Sequence, residues 1–133
     1  LIDCPPSLNI LTVSSLTASN SLLIPVQCEF FALQGLSELV NTVESIVSSS
    51  NPSLSIKGIV RTMYDPRNNL SEDVSDQLKK YFKQKLYRTK IPRNITLAES
   101  PSHGLPVLQY DSYSKGSISY MSLAGEILKQ ENS

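Results

Sequence analysis

The sequence predicts an α/β fold in which a mostly parallel sheet of about four strands is covered by helices. Short apolar runs of strand length alternate with longer segments whose apolar residues recur at helical spacing. This alternation is typical of βαβ units, in which helices pack on a parallel sheet. The chain has 133 residues, of which 40% are hydrophobic, so we expect residues 1–133 to form a single, partial domain with a real core.

The chain opens with an apolar dipeptide, a carboxylate and two prolines, in the stretch LIDCPPSL at residues 1–8. We expect the apolar start to end a buried strand, which would place Asp3 at the carboxyl end where α/β sheets bind ligands. The two prolines cannot continue a strand, and Ser7 can cap a helix. Because buried strands usually have about five or six residues, the strand is expected to begin upstream, in a longer protein.

The later elements are predicted from apolar periodicity and from the loop residues between them. They are, in order, a helix after Leu8, a strand over 21–26, a helix over about 29–48, a strand over 54–63, a helix that begins at Ser71, a strand over 86–88, a brief helix over 95–99 and a final helix over about 113–129.

The composition excludes several classes of protein. No apolar run is long enough to span a membrane, and we expect no membrane partner. Cys4 and Cys28 are predicted to be buried thiols of a reduced, cytosolic protein, and they do not have the spacing of a zinc site. His103 is the single histidine, so it has no partner histidine for a metal site.

Basic residues are concentrated in one segment, although the net charge is zero. Seven of the 12 basic residues lie between Gln77 and Ala98, where there is no acidic residue. Such a patch can attract a polyanion. The alternative is a solvated helix face whose basic C-terminal end suits the helix dipole.

Eight short motifs are individually weak but specific in their order and spacing. They are LIDCPPSL (1–8), IPVQCEFFALQGL (24–36), TMYD (62–65), NLS (69–71), IPRN (91–94), LAESPSHG (97–104), YD (110–111) and SKG (114–116). Together they resemble ParA-type partition ATPases from the first residue to about residue 128, and LIDCPPSL resembles the family's Walker B and switch region. The QCE and IPRN motifs favour the chromosome and plasmid partition branch over MinD-like relatives.

The resemblance implies the C-terminal half of a P-loop NTPase domain, Rossmann-like in its sheet and beginning at the Walker B strand. It implies a parent protein that binds ATP and Mg²⁺ between the two subunits of a homodimer. That dimer would bind DNA without sequence preference, and a centromere-binding, ParB-like protein would stimulate hydrolysis. The implied location is cytoplasmic and nucleoid-associated.

The resemblance also assigns roles to individual residues. Asp3 corresponds to the Walker B acid, which would hold Mg²⁺ through water because a hard cation prefers oxygen ligands. The residues expected in the switch that senses the γ-phosphate are Pro5, Pro6 and Ser7. The residues expected to line the adenine pocket are Thr62, Met63, Pro92, Arg93 and Asn94. The residues expected to contact DNA are Arg67, Lys83 and Lys85, whereas a second position that is commonly basic in relatives is Thr96 here.

The phosphate-binding loop G-x-x-x-x-G-K-[ST] does not occur in this sequence. We therefore expect the chain alone to be unable to hydrolyse ATP, and the activity to belong to the full-length parent. Two alternatives stay open. One is a MinD-like positioning ATPase at the membrane, against which the mixed charge of the tail over 126–133 argues. The other is a non-enzymatic, truncated module that binds DNA, the partner protein or an intact subunit.

Overall fold

A computed structural model describes residues 1–5 and 7–132. Pro6, one of the expected switch residues, lies outside the described residues. The elements are α1 (Ile10–Ala18), β1 (Ser21–Gln27), α2 (Ala32–Ser49), β2 (Ser55–Tyr64), α3 (Asn69–Phe82), β3 (Leu86–Pro92), α4 (Ile95–Glu99), a 3₁₀ turn (Ser100–His103), α5 (Val107–Tyr110) and α6 (Lys115–Glu131). None of the helices in this described part is both long and apolar enough to cross a membrane.

The three strands form one parallel sheet in the order β1-β2-β3. Ile24 of β1 lies opposite Ile59 of β2, and Arg61 of β2 lies opposite Lys90 of β3. Because all three strands run in the same direction, their carboxyl ends meet at one edge of the sheet. The predicted α/β class with a parallel sheet is confirmed.

One expected element is not formed. Residues 1–5 contain no strand, and the side chains of Leu1 and Ile2 are exposed rather than buried. A strand is held by backbone hydrogen bonds to a neighbour, and no strand of the described part pairs with these residues. The described sheet therefore has three strands instead of about four.

Two further boundaries differ from the sequence-based expectation. β3 continues to Pro92 instead of ending near residue 88, because Ile91 is buried and Pro92 still pairs with Tyr64 of β2. Asn9, not Ser7, caps α1, since its side-chain oxygen accepts the N–H groups of Leu11 and Thr12 at 3.0 and 3.1 Å.

Both faces of the sheet are covered. Ile59 and Val60 are neighbours in β2, so their side chains point to opposite faces, and both are buried. Ile59 packs in a cluster with Leu36 of α2 and Leu78 of α3, whereas Val60 packs in a cluster with Leu123 of α6. The central strand is thus buried on two sides, as a parallel sheet requires.

The outer edge of β3 is closed by a side chain of α6. The Glu126 carboxylate accepts the backbone N–H of Arg88 at 2.7 Å and the backbone N–H of Thr89 at 3.0 Å. An uncovered edge strand offers free N–H groups to other chains and favours aggregation. Glu126 therefore satisfies two donors that the sheet itself leaves unpaired.

We expect Glu126→Gln to destabilise the protein at neutral pH by on the order of 1 kcal/mol, because a charged acceptor is replaced by a neutral one. Burial works to raise the pKa of Glu126, but the N–H groups of Arg88 and Thr89 outweigh it, so its pKa lies below the usual 4.5. Such a carboxyl stabilises the fold above its unfolded pKa and loses that contribution as pH falls through its folded pKa. The difference in free energy of unfolding between variant and wild type, measured by urea denaturation, should therefore shrink from pH 7 to pH 3.

Glu44→Gln, which changes an exposed carboxylate on α2, is the control. If Glu126→Gln lowers the free energy of unfolding equally at both pH values, the prediction is wrong.

Candidate functional site

The carboxyl edge of the sheet brings together two motifs that are distant in the sequence. Thr62 and Met63 are near the end of β2, and the IPRN motif ends β3. The backbone N–H of Arg93 donates to the carbonyl of Tyr64 at 3.0 Å, so the two strand ends are joined directly. All five residues expected at the adenine pocket lie at this edge, where α/β sheets bind ligands. Their contact with adenine stays a prediction.

Met63 has an unusual backbone conformation. Its φ of 51° lies in the left-handed region, and it is the one such non-glycine residue in the described part of the chain. Left-handed geometry is disfavoured for a side chain like that of Met, and such residues cluster at ligand sites. The carbonyl of the preceding Thr62 accepts the N–H of Cys28 at 3.3 Å, which links this end of β2 to the end of β1.

Asn94 has a structural role that the sequence-based interpretation did not assign. Its side-chain oxygen accepts the backbone N–H of Leu97 at 3.2 Å and caps α4. The cap orients the short helix that carries Thr96, directly after the strand end. A residue that caps a helix at this edge can still hold a neighbouring ligand through its backbone.

Asp3, Pro5 and Ser7 line a groove of about 1310 Å³ that runs along β1. Gln27 and Glu29, at the carboxyl end of β1, line the same groove. Met63 and the IPRN motif, which were expected at the adenine pocket, do not line this groove. Asp3 thus shares a groove with the residues of β1, but it does not lie in one pocket with the expected adenine residues.

A site for Mg²⁺ and a triphosphate needs more groups than the Asp3 carboxylate. In residues 1–5 and 7–132 there is no group of three or more His, Cys, Asp or Glu side chains that could hold a metal ion. A Walker B carboxylate needs water and phosphate oxygens as the other ligands of Mg²⁺. Backbone amides and a lysine that would hold the phosphates belong to a motif this sequence lacks.

An exposed aromatic pair in the groove was missed by the sequence-based interpretation. Phe30 and Phe31 follow β1, are 73% and 71% exposed, and form an edge-to-face pair with ring centroids 5.1 Å apart. Exposed aromatic side chains at the rim of a groove are common in binding sites. Two successive phenylalanines directly after a strand end were the signal in the sequence.

The predicted DNA-contacting residues do not share one surface. Arg67 precedes α3 at the carboxyl edge, whereas Lys83 and Lys85 follow its other end. A helix of 14 residues spans about 20 Å. The Lys85 amine donates to the carbonyl of Ile56 at 2.8 Å, at the start of β2. A DNA segment at Arg67 would therefore lie at the opposite end of the sheet from Lys85.

Lys90, another basic residue of the segment between Gln77 and Ala98, packs against an aromatic ring. The amine of Lys90 lies 3.7 Å from the ring centroid of Tyr64, and the Tyr64 hydroxyl donates to Glu72 at 2.8 Å. Burial lowers the pKa of Lys90, and the nearby positive charge of Arg61 lowers it further. Lys90 is thus part of the packing between β2, β3 and α3 and contributes little to a surface patch.

Arg61 is a buried cation that the sequence did not suggest. It is 3% exposed, and its guanidinium donates to the Ser75 hydroxyl at 3.0 Å and to the carbonyls of Tyr87 and Arg88 at 2.6 and 3.1 Å. Burial lowers the pKa of Arg61. Its Nε has no hydrogen-bond partner among the described residues. The side chain fastens β3 to β2 and α3, beneath the carboxyl edge.

Cys28 is buried as expected, and burial raises the pKa of its thiol. Cys4 is half-buried, and both cysteines are free. A thiol with a raised pKa is a poor nucleophile, so Cys28 acts as a packing residue at the end of β1.

Comparison with known structures shows the same architecture in a nucleotide-binding enzyme. The chain aligns with cobyrinic acid a,c-diamide synthase from Mycobacterium smegmatis, solved with bound ADP and magnesium, with a TM-score of 0.76 and 30% identity. The alignment covers 98% of this chain and 46% of that one. The part of that structure that aligns with this chain thus shares its fold.

Sequence comparisons give relatives with named functions. A family model described as an AAA domain matches residues 1–56. The chain is 52% identical over 127 residues to the sporulation initiation inhibitor protein Soj of Bacillus subtilis, covering 96% of this chain and 50% of that protein. It is 51% identical over 131 residues to the chromosome partitioning protein ParA of Caulobacter vibrioides, covering 98% of this chain and 49% of that protein.

The chain spans about half the length of the curated relatives it matches. More than half of the residues are identical between this chain and these relatives over 96% and 98% of its length. The chain therefore belongs to the ParA/Soj family of partitioning ATPases.

Proposed function

We propose that this chain is the C-terminal half of a partitioning ATPase that moves chromosomes or plasmids. In the full-length protein, Mg²⁺ and ATP would drive homodimerisation, and the dimer would bind DNA without sequence preference. A ParB-like partner would stimulate hydrolysis and release the DNA. The observation that supports this proposal most is the identity to partitioning proteins over nearly the whole chain, with their ligand-edge motifs brought together in the fold.

Each part of the site has a proposed task. Asp3 would orient the water ligands of Mg²⁺, and Pro5, Pro6 and Ser7 would respond to the γ-phosphate. Thr62 and Met63, with Pro92 to Asn94, would receive the adenine by packing and by backbone hydrogen bonds. Arg67 would contact DNA phosphates at the same edge of the sheet.

We propose that the other half of the protein supplies the phosphate-binding loop, because the G-x-x-x-x-G-K-[ST] motif does not occur in this sequence. A chain without that half would be a binding module rather than an enzyme. A cytoplasmic, nucleoid-associated location follows from the proposed DNA binding. Lys83 and Lys85 would meet DNA only if the duplex also reached the opposite end of α3.

Asp3→Asn in the full-length protein should reduce Mg²⁺-dependent ATP hydrolysis at least about tenfold, because the amide cannot hold the metal-bound water in the same way. A tenfold loss corresponds to about 1.4 kcal/mol of transition-state stabilisation. The measurement is steady-state phosphate release with Mg²⁺, DNA and the partner protein.

The matched control is Asp73→Asn, which removes an exposed carboxylate from α3, away from the groove. We expect it to leave hydrolysis within about twofold of wild type. Equal activity in the Asp3 and Asp73 variants would exclude the Walker B role. Turnover by residues 1–133 alone that Asp3→Asn abolishes would exclude the proposed division between the two halves.

A further inference from the structure

Arg67 is already paired within its own loop. Its Nε donates to Asp65 Oδ1 at 3.0 Å, and its Nη2 donates to Asp65 Oδ2 at 2.9 Å. This is the two-pronged geometry with which an arginine also binds a phosphate group. The Arg67 side chain is 88% exposed and the Asp65 side chain 24% exposed, so the pair lies at the surface with the guanidinium facing solvent.

The carboxylate serves more than one cation. Hydrogen bonds from the Arg67 side chain and backbone N–H, helped by the charges of Arg67 and Arg93, lower the pKa of Asp65 to about 2. Asp65 is therefore ionised at neutral pH. It accepts from Nε and Nη2 of Arg67, so one side of the guanidinium is already occupied by a carboxylate.

We propose that Asp65 occupies the place of a DNA phosphate at Arg67 and thereby weakens non-specific DNA binding. The inference rests on the proposed DNA-binding function of this edge. A phosphate that approaches Arg67 must either displace the carboxylate or accept its repulsion. Asp65 is then an internal competitor that keeps the ATP-dependent dimer from holding DNA too tightly.

Asp65 also has a structural task, which decides the choice of variant. Its Oδ1 accepts the backbone N–H of Arg67 at 3.0 Å and shapes the loop between β2 and α3. Asparagine keeps an oxygen in that position, but it removes the charge and the Oδ2 atom that accepts from Arg67 Nη2. Asp65→Asn therefore separates electrostatic competition from the shape of the loop.

The exposed pair of Asp76 and Lys79 on α3 offers a matched control. The Lys79 amine donates to Asp76 at 2.7 Å, and both side chains are more than half exposed. Asp76→Asn changes the net charge by the same amount as Asp65→Asn, but away from Arg67. A general gain in positive charge would affect both variants alike.

The experiment compares four variants of the full-length protein with Mg²⁺ and ATP: Asp65→Asn, Asp76→Asn, Arg67→Ala and the Asp65→Asn/Arg67→Ala double variant. Fluorescence anisotropy would measure the binding of two unrelated DNA duplexes over a series of salt concentrations. We expect Asp65→Asn to tighten binding at least about threefold on both duplexes and to steepen the salt dependence by up to about 0.9 in log–log slope. Asp76→Asn should stay within about twofold of wild type, and the double variant should bind no better than Arg67→Ala.

The outcomes separate the inference from the proposed function. If Arg67→Ala weakens binding but Asp65→Asn binds no more tightly than Asp76→Asn, the competitor role is wrong and the DNA contact stands. If Arg67→Ala leaves DNA affinity unchanged at low salt, Arg67 does not contact DNA, and the proposed competition by Asp65 is wrong as well. If Asp65→Asn tightens DNA binding and the double variant binds DNA equally tightly, the inference is also wrong.

Discussion

Leu78→Ala should lower the free energy of unfolding by about 2–5 kcal/mol, because it leaves a cavity that the surrounding structure cannot fully close. Leu78 is 0% exposed on α3 and packs in the cluster that holds the helix against the sheet. Ile24 of β1 and Ile59 of β2 belong to the same cluster, so both strands lose contacts. Urea denaturation, followed by circular dichroism, measures the loss.

Leu128→Ala is the matched control for this change. Leu128 lies on α6 and is 61% exposed, so the same atoms are removed without a cavity. We expect its effect to stay within about 0.5 kcal/mol. If Leu78→Ala lowers the free energy of unfolding no more than Leu128→Ala does, α3 is not packed on the sheet as described.

Gly58→Ala should destabilise the protein by about 1–3 kcal/mol through overpacking. A Cβ atom at Gly58 would lie 2.3 Å from Cε2 and 2.7 Å from Cζ of Tyr87, closer than atoms can approach. The ring has little freedom to move, since Tyr87 is buried and its hydroxyl donates to Gln130 at 2.8 Å. Gly58 also follows an irregularity in the pairing of β1 with β2, where a residue without a side chain is favoured.

The clash between a Cβ atom at position 58 and the Tyr87 ring can be tested by removing the ring. Tyr87→Leu is destabilising in itself, but in that background Gly58→Ala should cost less than it does in the wild type, because the ring that it meets is gone. The difference between the two costs is a coupling energy, which we expect to exceed about 0.5 kcal/mol. If the two changes in the free energy of unfolding are additive, the side chains at positions 58 and 87 do not contact each other. Gly125→Ala, on α6 where an added Cβ meets nothing within 4 Å, is the control.

The candidate site was partly predictable from the sequence. Residues 62–63 and 92–94 were expected to line one pocket because their motifs resemble those of partition ATPases, and residues 62–63 also end a predicted strand. The cap formed by Asn94 was not expected, since the motif suggested a ligand role. The left-handed backbone at Met63 was also not expected, because Met is not a residue that favours that conformation.

The basic cluster shows the limit of reasoning from local composition. The sequence places Lys83, Lys85 and Lys90 within one charged segment. In the fold, Lys85 turns toward the start of β2, and Lys90 lies over the ring of Tyr64. Neighbours in sequence separate because a helix end, a turn and a strand follow one another there, and successive strand residues point to opposite faces.

The α/β class, the order of most elements and the family could be inferred without coordinates, because periodicity and motif order are properties of the linear chain. Only the tertiary structure decided that Arg61 is buried, that Glu126 closes the edge of β3 and that Arg67 is held by Asp65. These contacts depend on strand register, helix docking and side-chain direction, which bring together atoms whose distance no local pattern encodes.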